Sequence, residues 1–342
     1  MKQVTVTASR SYEVKIGSGL LDTLGEEVKA LRPEKVCIIT DETVAPLYLG
    51  RAYRSLTAAG FSVCTASVPA GEEAKSLKYY GQLLELLAEK QLTRSDLLVA
   101  LGGGVVGDLT GFVAASYLRG VPFVQIPTTL LAMVDSSVGG KTAINLSTGK
   151  NLAGAFHQPS LVLCDLELLN TLPTDTFRAG CGEVIKTAIL FDKALFAHLQ
   201  ERGMDFEREY VVSRCIEHKA AVVCADEFDR GQRQLLNLGH TVAHAIEALT
   251  DFMIPHGYAV SMGTAIFARA VSQDGESIVS LLKQFGLPTE TEFSAPILAH
   301  AALSDKKRQG GTITLVLPHA IGDCRLQALP VEELATFIKA GL

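Results

Sequence analysis

Three groups of residues in this sequence have the types and spacing to do chemistry. The first is Asn237-Leu-Gly-His240-Thr-Val-Ala-His244-Ala-Ile-Glu247, in which two histidines one helical turn apart share a face. His256 follows in PHGYAV, and Glu183 precedes them in AGCGEVIK. Two imidazoles and a carboxylate leave coordination positions open, as a catalytic Zn²⁺ site requires. HExxH is absent, which argues against a zinc peptidase of that type. A histidine pair on a helix also occurs as plain structure, and spacing alone does not say which of the two binds metal.

The second group is Gly102, Gly104 and Gly107, a GxGxxG between an apolar run and a helical pattern. Glycine lets the backbone approach a pyrophosphate, and a helix N-terminus offers free N–H donors and a partial positive charge. A plain tight turn explains the same glycines. The pattern departs from the usual dinucleotide fingerprint, because the glycines follow a later strand and lack an acid about 20 residues on. Asp41, ending the Lys35–Thr40 run, would then accept the ribose hydroxyls and favour NAD over NADP. Its competing role is a helix N-cap. The third group is cationic: Arg119, Lys141 in GGKTAIN, Lys150-Asn151, Lys186, Lys219, Arg233 and Lys306-Lys307. Singly each reads as a solvated surface charge, except Lys141, whose preceding glycines thin the wall around it. Together they suit a substrate carrying both phosphate and carboxylate.

These residues need elements to hold them. Lys35–Thr40, Phe61–Val68, Leu97–Leu101 and Pro122–Ile126 read as buried strands, and Ser76–Gln91 and Val105–Tyr117 as helices. The N-terminal MKQVTVTASRSYEVKIG alternates like a strand. Such β-α-β alternation predicts a Rossmann-like parallel sheet with nucleotide chemistry at the strand C-terminal ends. Beyond Leu172 the pattern turns mainly helical, with a strand at Thr312–Leu317 and a closing helix from Val331. The fold class expected is therefore α/β, with residues 1–172 an NAD-binding α/β domain and residues 173–342 a mainly helical metal- and substrate-binding domain.

A length of 342 residues and 48% hydrophobic content suffice for two cores, and a net charge of -6 disfavours a nucleic-acid binder. Seven scattered cysteines without CxxC read as reduced thiols, and no apolar stretch is long enough to span a membrane. A cytoplasmic protein without nucleic-acid or membrane partners is expected.

Longer blocks carry a resemblance. GGGVVGDLTGFVAASYLRGVPFVQIPTTLLAMVDSSVGGKTAIN, GKNLAGAFHQP, AGCGEVIKTAIL, DEFDRGQRQLLNLGHTVAHAIE and SDKK are similar, in order, to 3-dehydroquinate synthases of the sugar phosphate cyclase superfamily. The resemblance implies an NAD-binding first domain and a second domain holding zinc or cobalt on Glu183, His240 and His256, with His244 in the substrate shell. It implies nucleotide contacts from Asp41, Glu72, Lys75, Gly104, Val105, Val106, Gly107, Asp108, Thr128, Thr129, Lys141, Lys150, Leu168 and Thr171. Asp135 and Lys186 would serve the ring hydroxyls, and Lys219 and Arg233 the substrate carboxylate. Lys141, Asn151, Asn237, His244 and Lys306 or Lys307 would serve its phosphate. A homodimer is implied, with Arg119 reaching the neighbouring subunit.

The implied reaction turns 3-deoxy-D-arabino-heptulosonate 7-phosphate into 3-dehydroquinate and phosphate. Oxidising a secondary alcohol acidifies the neighbouring C–H, phosphate leaves, the hydride returns, and an aldol step closes the ring. The competing readings are another sugar phosphate cyclase, a metal-dependent alcohol or polyol dehydrogenase, and a non-catalytic binding protein. Three positions depart from the family pattern. Tyr258 follows His256-Gly257 where Glu is common, Thr43 stands in TDET, and Cys181 replaces a bulkier residue before Glu183. Altered hydrogen bonding around the metal ligands is expected from Tyr258.

Overall fold

The computed structural model describes residues 1–303, 308, 309 and 311–342. The chain divides into two units: Met1–Leu172 with Lys219–Phe228, and Pro173–His218 with Asp229–Leu342. The division is thus not a single cut at Leu172. Lys219–Phe228 counts with the first unit because its side chains bond there, Lys219 to Asp135, Glu227 to Ser9 and Gln158, and Phe228 to the Phe156 ring.

In the first unit the alternating N-terminus becomes two antiparallel strands, β1 (Lys2–Val6) and β2 (Tyr12–Gly17). After a short helix α1 (Leu24–Val28) come β3 (Lys35–Asp41), α2 (Gly50–Ala58), β4 (Ser62–Val68) and α3 (Leu77–Glu89). Next are β5 (Leu97–Gly102), α4 (Gly104–Ser116) and β6 (Phe123–Pro127). A separate hairpin, β7 (Lys141–Leu146) and β8 (Gly149–Phe156), precedes β9 (Leu161–Asp165).

The large sheet runs β1-β2-β9-β6-β5-β3-β4, parallel throughout except for β1 on β2. The unbroken apolar runs of β3 and β5 follow from burial on both faces. On the α3 and α4 side Ile39, Leu98, Val106, Leu109 and Phe123 form one core. From β3 the chain steps to β4 on one side and then to β5 on the other. That reversal makes a topological switch point, where the following elements leave for opposite faces and open a crevice. Thr40 pairs with Leu101, so Asp41 and Gly102–Gly104 meet at this carboxyl edge.

The second unit is mainly helical. It contains α5 (Thr174–Phe191), α6 (Lys193–Arg202), and α7 (Arg208–Ala225) as far as His218. Then come α8 (His240–Leu249), α9 (His256–Val271), α10 (Gly275–Gln284) and α11 (Ala295–Leu303). Strands β10 (Arg308–Gln309), β11 (Thr312–Ala320) and β12 (Asp323–Pro330) form a small antiparallel sheet before α12 (Leu334–Gly341). α9 is buried along one unbroken run, Ala259–Ala268, which marks it as the central helix. β12 escapes the sequence reading because none of its residues is buried, so no apolar alternation marks it. Among the described residues no helix is long and apolar enough to cross a membrane.

Candidate metal and nucleotide sites

In the second unit Glu183 lies mid-way along α5, while His240 and His256 open α8 and α9. A glycine beside each of these residues lets the helices meet. A Cβ on Gly182 would stand 2.5 Å from Gly257 O, and one on Gly257 1.8 Å from Ala179 O, so α5 and α9 touch backbone to backbone. At Gly239, with φ 75°, a Cβ would meet Thr264 Oγ1 of α9 at 2.5 Å. Large residues at these crossings would keep the three side chains apart.

One potential ligand atom from each of Glu183, His240 and His256 lies within 4.8 Å of the others. His256 Nε2 is 3.3 Å and His240 Nε2 3.6 Å from Glu183 Oε1. The far ring nitrogens are tethered, His240 Nδ1 to Leu238 O at 3.0 Å and His256 Nδ1 to Glu247 Oε1 at 3.3 Å. With protons on both Nδ1 atoms, the Nε2 atoms would offer lone pairs to the cluster once a cation displaces the second proton of His256. His244 sits half-buried outside this group, its ring centroid 5.5 Å from that of His240 and 6.3 Å from that of His256. The geometry thus chooses between the two histidines that spacing could not separate.

Both carboxylate oxygens of Glu183 are buried without a hydrogen bond of normal geometry, although Lys186 forms an ion pair with one. A buried carboxylate left so is costly unless it shares a cation. One carboxylate and two imidazole nitrogens fit a zinc- or cobalt-like ion with positions left open. Burial alone would raise the Glu183 carboxyl, but the Lys186 cation and His256 hold it down at about 2. Burial likewise opposes charge on His256, yet Glu183 and Glu247 raise it to about 10. Lys186 Nζ also donates to Leu236 O at 2.7 Å. Arg233 is buried on the turn Gln232–Asn237, where Asn237 Nδ2 donates to Gln234 O.

In the first unit the glycine turn opens α4, whose first intrahelical bond is Gly107 N to Gly103 O. The earlier amides, including those of Gly104, Val105 and Val106, are free of partners within the helix, the arrangement that suits an anion. Lys75 is nearly buried, and its Nζ donates to Asp108 Oδ2 at 2.7 Å and Asn151 Oδ1 at 2.5 Å, with Glu72 Oε1 at 3.7 Å. Burial opposes its charge, but Asp108 and Glu72 keep the ammonium above its ordinary value. Asp41 Oδ1 accepts the N–H groups of Thr43 and Val44 and so closes the turn after β3 at the crevice, while the helical segment that follows is capped at Val44 without a side-chain bond.

The other named residues are distributed as follows. Thr128 N donates to Gly102 O, and Thr129 Oγ1 accepts Ala132 N, which fixes the loop after β6 against the glycine turn. The Tyr48 hydroxyl bonds Leu168 O and the Thr171 hydroxyl. Lys219 Nζ donates to Asp135 Oδ1 at 2.5 Å and to its backbone oxygen. Lys141 is exposed at the start of β7, and Lys150 is half-buried in β8. Arg119 is exposed at φ 69° on the turn after α4. Lys306 and Lys307 lie outside the described residues. Tyr258 faces the Arg178 guanidinium. The partner of His256 is instead Glu247, a residue without a role in the sequence reading. Its position seven residues after His240, two turns along one helix face, was the available signal.

Comparison with known proteins agrees with this arrangement. The family profile "3-dehydroquinate synthase N-terminal" matches residues 65–179, and "3-dehydroquinate synthase C-terminal" matches residues 180–308. The chain is 43% identical over 352 residues to the 3-dehydroquinate synthase of Enterococcus faecalis, covering 99% of this chain and 98% of that one. A crystal structure of 2-deoxy-scyllo-inosose synthase complexed with carbaglucose-6-phosphate, NAD⁺ and Co²⁺ shares the fold at TM-score 0.90 and 23% identity, over all of both chains. So does 2-epi-5-epi-valiolone synthase from Streptomyces hygroscopicus subsp. jinggangensis with NAD⁺ and Zn²⁺ bound, at TM-score 0.87 and 24% identity over 98% of each. With both profiles together spanning most of the sequence, the chain belongs to the 3-dehydroquinate synthase family.

Proposed function

We propose that this chain converts 3-deoxy-D-arabino-heptulosonate 7-phosphate to 3-dehydroquinate and phosphate, using NAD and one zinc or cobalt ion. The activity itself follows from family membership and from 43% identity over nearly the whole chain. The observation that carries the cofactor reading is the buried, hydrogen-bond-poor carboxylate of Glu183 facing two Nε2 atoms.

When bound, NAD⁺ supplies a reversible hydride acceptor and the divalent ion a Lewis acid for an oxygen that gains charge. The residues do the rest. Glu183, His240 and His256 would hold the ion, with Glu247 orienting His256. Lys186, a buried cation beside Glu183, stabilises negative charge developing on a substrate oxygen. In the second unit Arg233, Asn237 and His244 would bind anionic groups of the substrate. In the first, Lys219 holds Asp135 so that its carboxylate can accept a ring hydroxyl. The amides of Gly104, Val105 and Val106, with Lys75, Lys141 and Lys150, would receive the nucleotide phosphates. Gly107 would let the backbone come close, Asp108 would hold Lys75 in place, and Asp41 would receive the ribose. By the same resemblance the chain would act in the cytoplasm as a homodimer, which sedimentation reads.

Glu183→Gln tests the reading. The variant should lose cation affinity by about 100-fold or more, and phosphate release with it, while NAD⁺ affinity stays within a few-fold. Undiminished phosphate release would contradict the assignment.

A further inference from the structure

Asn145 joins parts of the first unit that are distant in sequence. Its backbone N–H donates to Lys75 O at 2.7 Å, and its Nδ2 to Glu72 Oε1 at 2.8 Å. Its Oδ1 accepts the backbone N–H of Asn151 at 2.9 Å. The β7–β8 ladder pairs Ile144 with Ala153 and Leu146 with Gly149, and its register shifts between them. Between those pairs Asn145 alone faces Lys150, Asn151 and Leu152, so the extra residues bulge in β8, while Asn145 is left unpaired in the ladder and bonds Glu72 and Asn151 through its side-chain amide. Asn151 in turn stands at φ 53°, a left-handed conformation that L residues rarely adopt. From there its Oδ1 accepts Lys75 Nζ, which also donates to Asp108 in the second turn of α4.

We propose that Asn145 is a positioning residue for the nucleotide site: it holds Asn151 in its left-handed conformation, and through it fixes Lys75 against Glu72 and Asp108. The inference rests on the reading above that Lys75 and Asp108 serve NAD⁺. Asparagine suits the position because it offers a donor to Glu72 and an acceptor to Asn151 at once. Alanine offers neither. Aspartate keeps the acceptor but sets a second carboxylate against Glu72.

The test is calorimetric titration of the full chain with NAD⁺, with melting temperature measured beside it. The proteins are Lys75→Ala, Asn145→Ala, Asn145→Asp, Glu72→Gln, and Asn145→Asp combined with Glu72→Gln. Lys75→Ala and Asn145→Ala should each weaken NAD⁺ by about 10-fold. Asn145→Asp should do the same in the native background. Beside Glu72→Gln it should change affinity by no more than about 3-fold, because the new amide donates where asparagine did. The inference is overturned if Lys75→Ala weakens NAD⁺ while Asn145→Ala lowers only the melting temperature. Should Asn145→Ala fail to fold, the aspartate cycle decides: loss of affinity in both backgrounds overturns the inference, and loss in the native background alone supports it. Unchanged affinity in Lys75→Ala would instead remove the nucleotide reading, and this inference with it.

Discussion

Each imidazole of the candidate metal cluster is held at Nδ1 by a different kind of acceptor. His240 bonds a backbone carbonyl, whereas His256 bonds the buried carboxylate of Glu247. A carboxylate makes the attached imidazole a stronger base and restrains its ring, so Glu247 would tune one proposed ligand selectively. Glu247→Gln keeps the shape and removes the charge. Its cation affinity, read by competition with a chelator, should fall about 10- to 100-fold with NAD⁺ affinity unchanged. An unaltered cation affinity would leave Glu247 a merely structural residue. At this scale the grouping of Glu183, His240 and His256 was legible as a candidate site. Glu183, His240 and His256 stand out by residue type, and the choice of His240 over His244 came from the resemblance. Residue type could not reveal Glu247 or Asn145, whose roles arise from what they face after folding.

Helix contacts decide whether the ligands meet at all. Gly257 has no room for a methyl group, since a Cβ there would lie 1.8 Å from Ala179 O. Gly81 in α3 has nothing within 4 Å. The same change, Gly→Ala, should therefore act oppositely at the two positions. Gly257→Ala should cost about 1–3 kcal/mol through overpacking and abolish cation binding by parting α5 from α9. Gly81→Ala should stabilise by about 0.4–1 kcal/mol and leave cation binding alone. Thermal melts and metal titration of both variants check this, and a Gly257→Ala protein that bound metal normally would contradict the packing account. Element identities were largely readable, because buried parallel strands show as unbroken apolar runs and amphipathic helices as a 3.6-residue period. The β7–β8 hairpin was not read, since its strands mix glycine, lysine and asparagine among apolar residues. The bulge in β8 left no periodic trace either.

At the scale of the molecule, strand order explains why the glycine turn follows a later strand than the usual fingerprint expects. β3 and β5 are neighbours at the switch point, so Asp41 and Gly102–Gly104 come together although some sixty residues separate them. Strand order is a long-range property, which local pattern reading does not reach. Nor does it show that Lys219–Phe228, far along the chain, counts with the first unit, for that depends on side-chain partners such as Asp135.

The central claim is that a hydride is lent and returned during each turnover, with a divalent ion held by Glu183, His240 and His256. The direct measurement is phosphate release from 3-deoxy-D-arabino-heptulosonate 7-phosphate by protein stripped of nucleotide and metal, then resupplied with each alone and both together, while NADH is monitored. Release only with both present, continuing for many turnovers per NAD⁺ without net NADH, is the result expected. Full-rate release by the stripped protein, or NADH accumulating in step with phosphate, would contradict it.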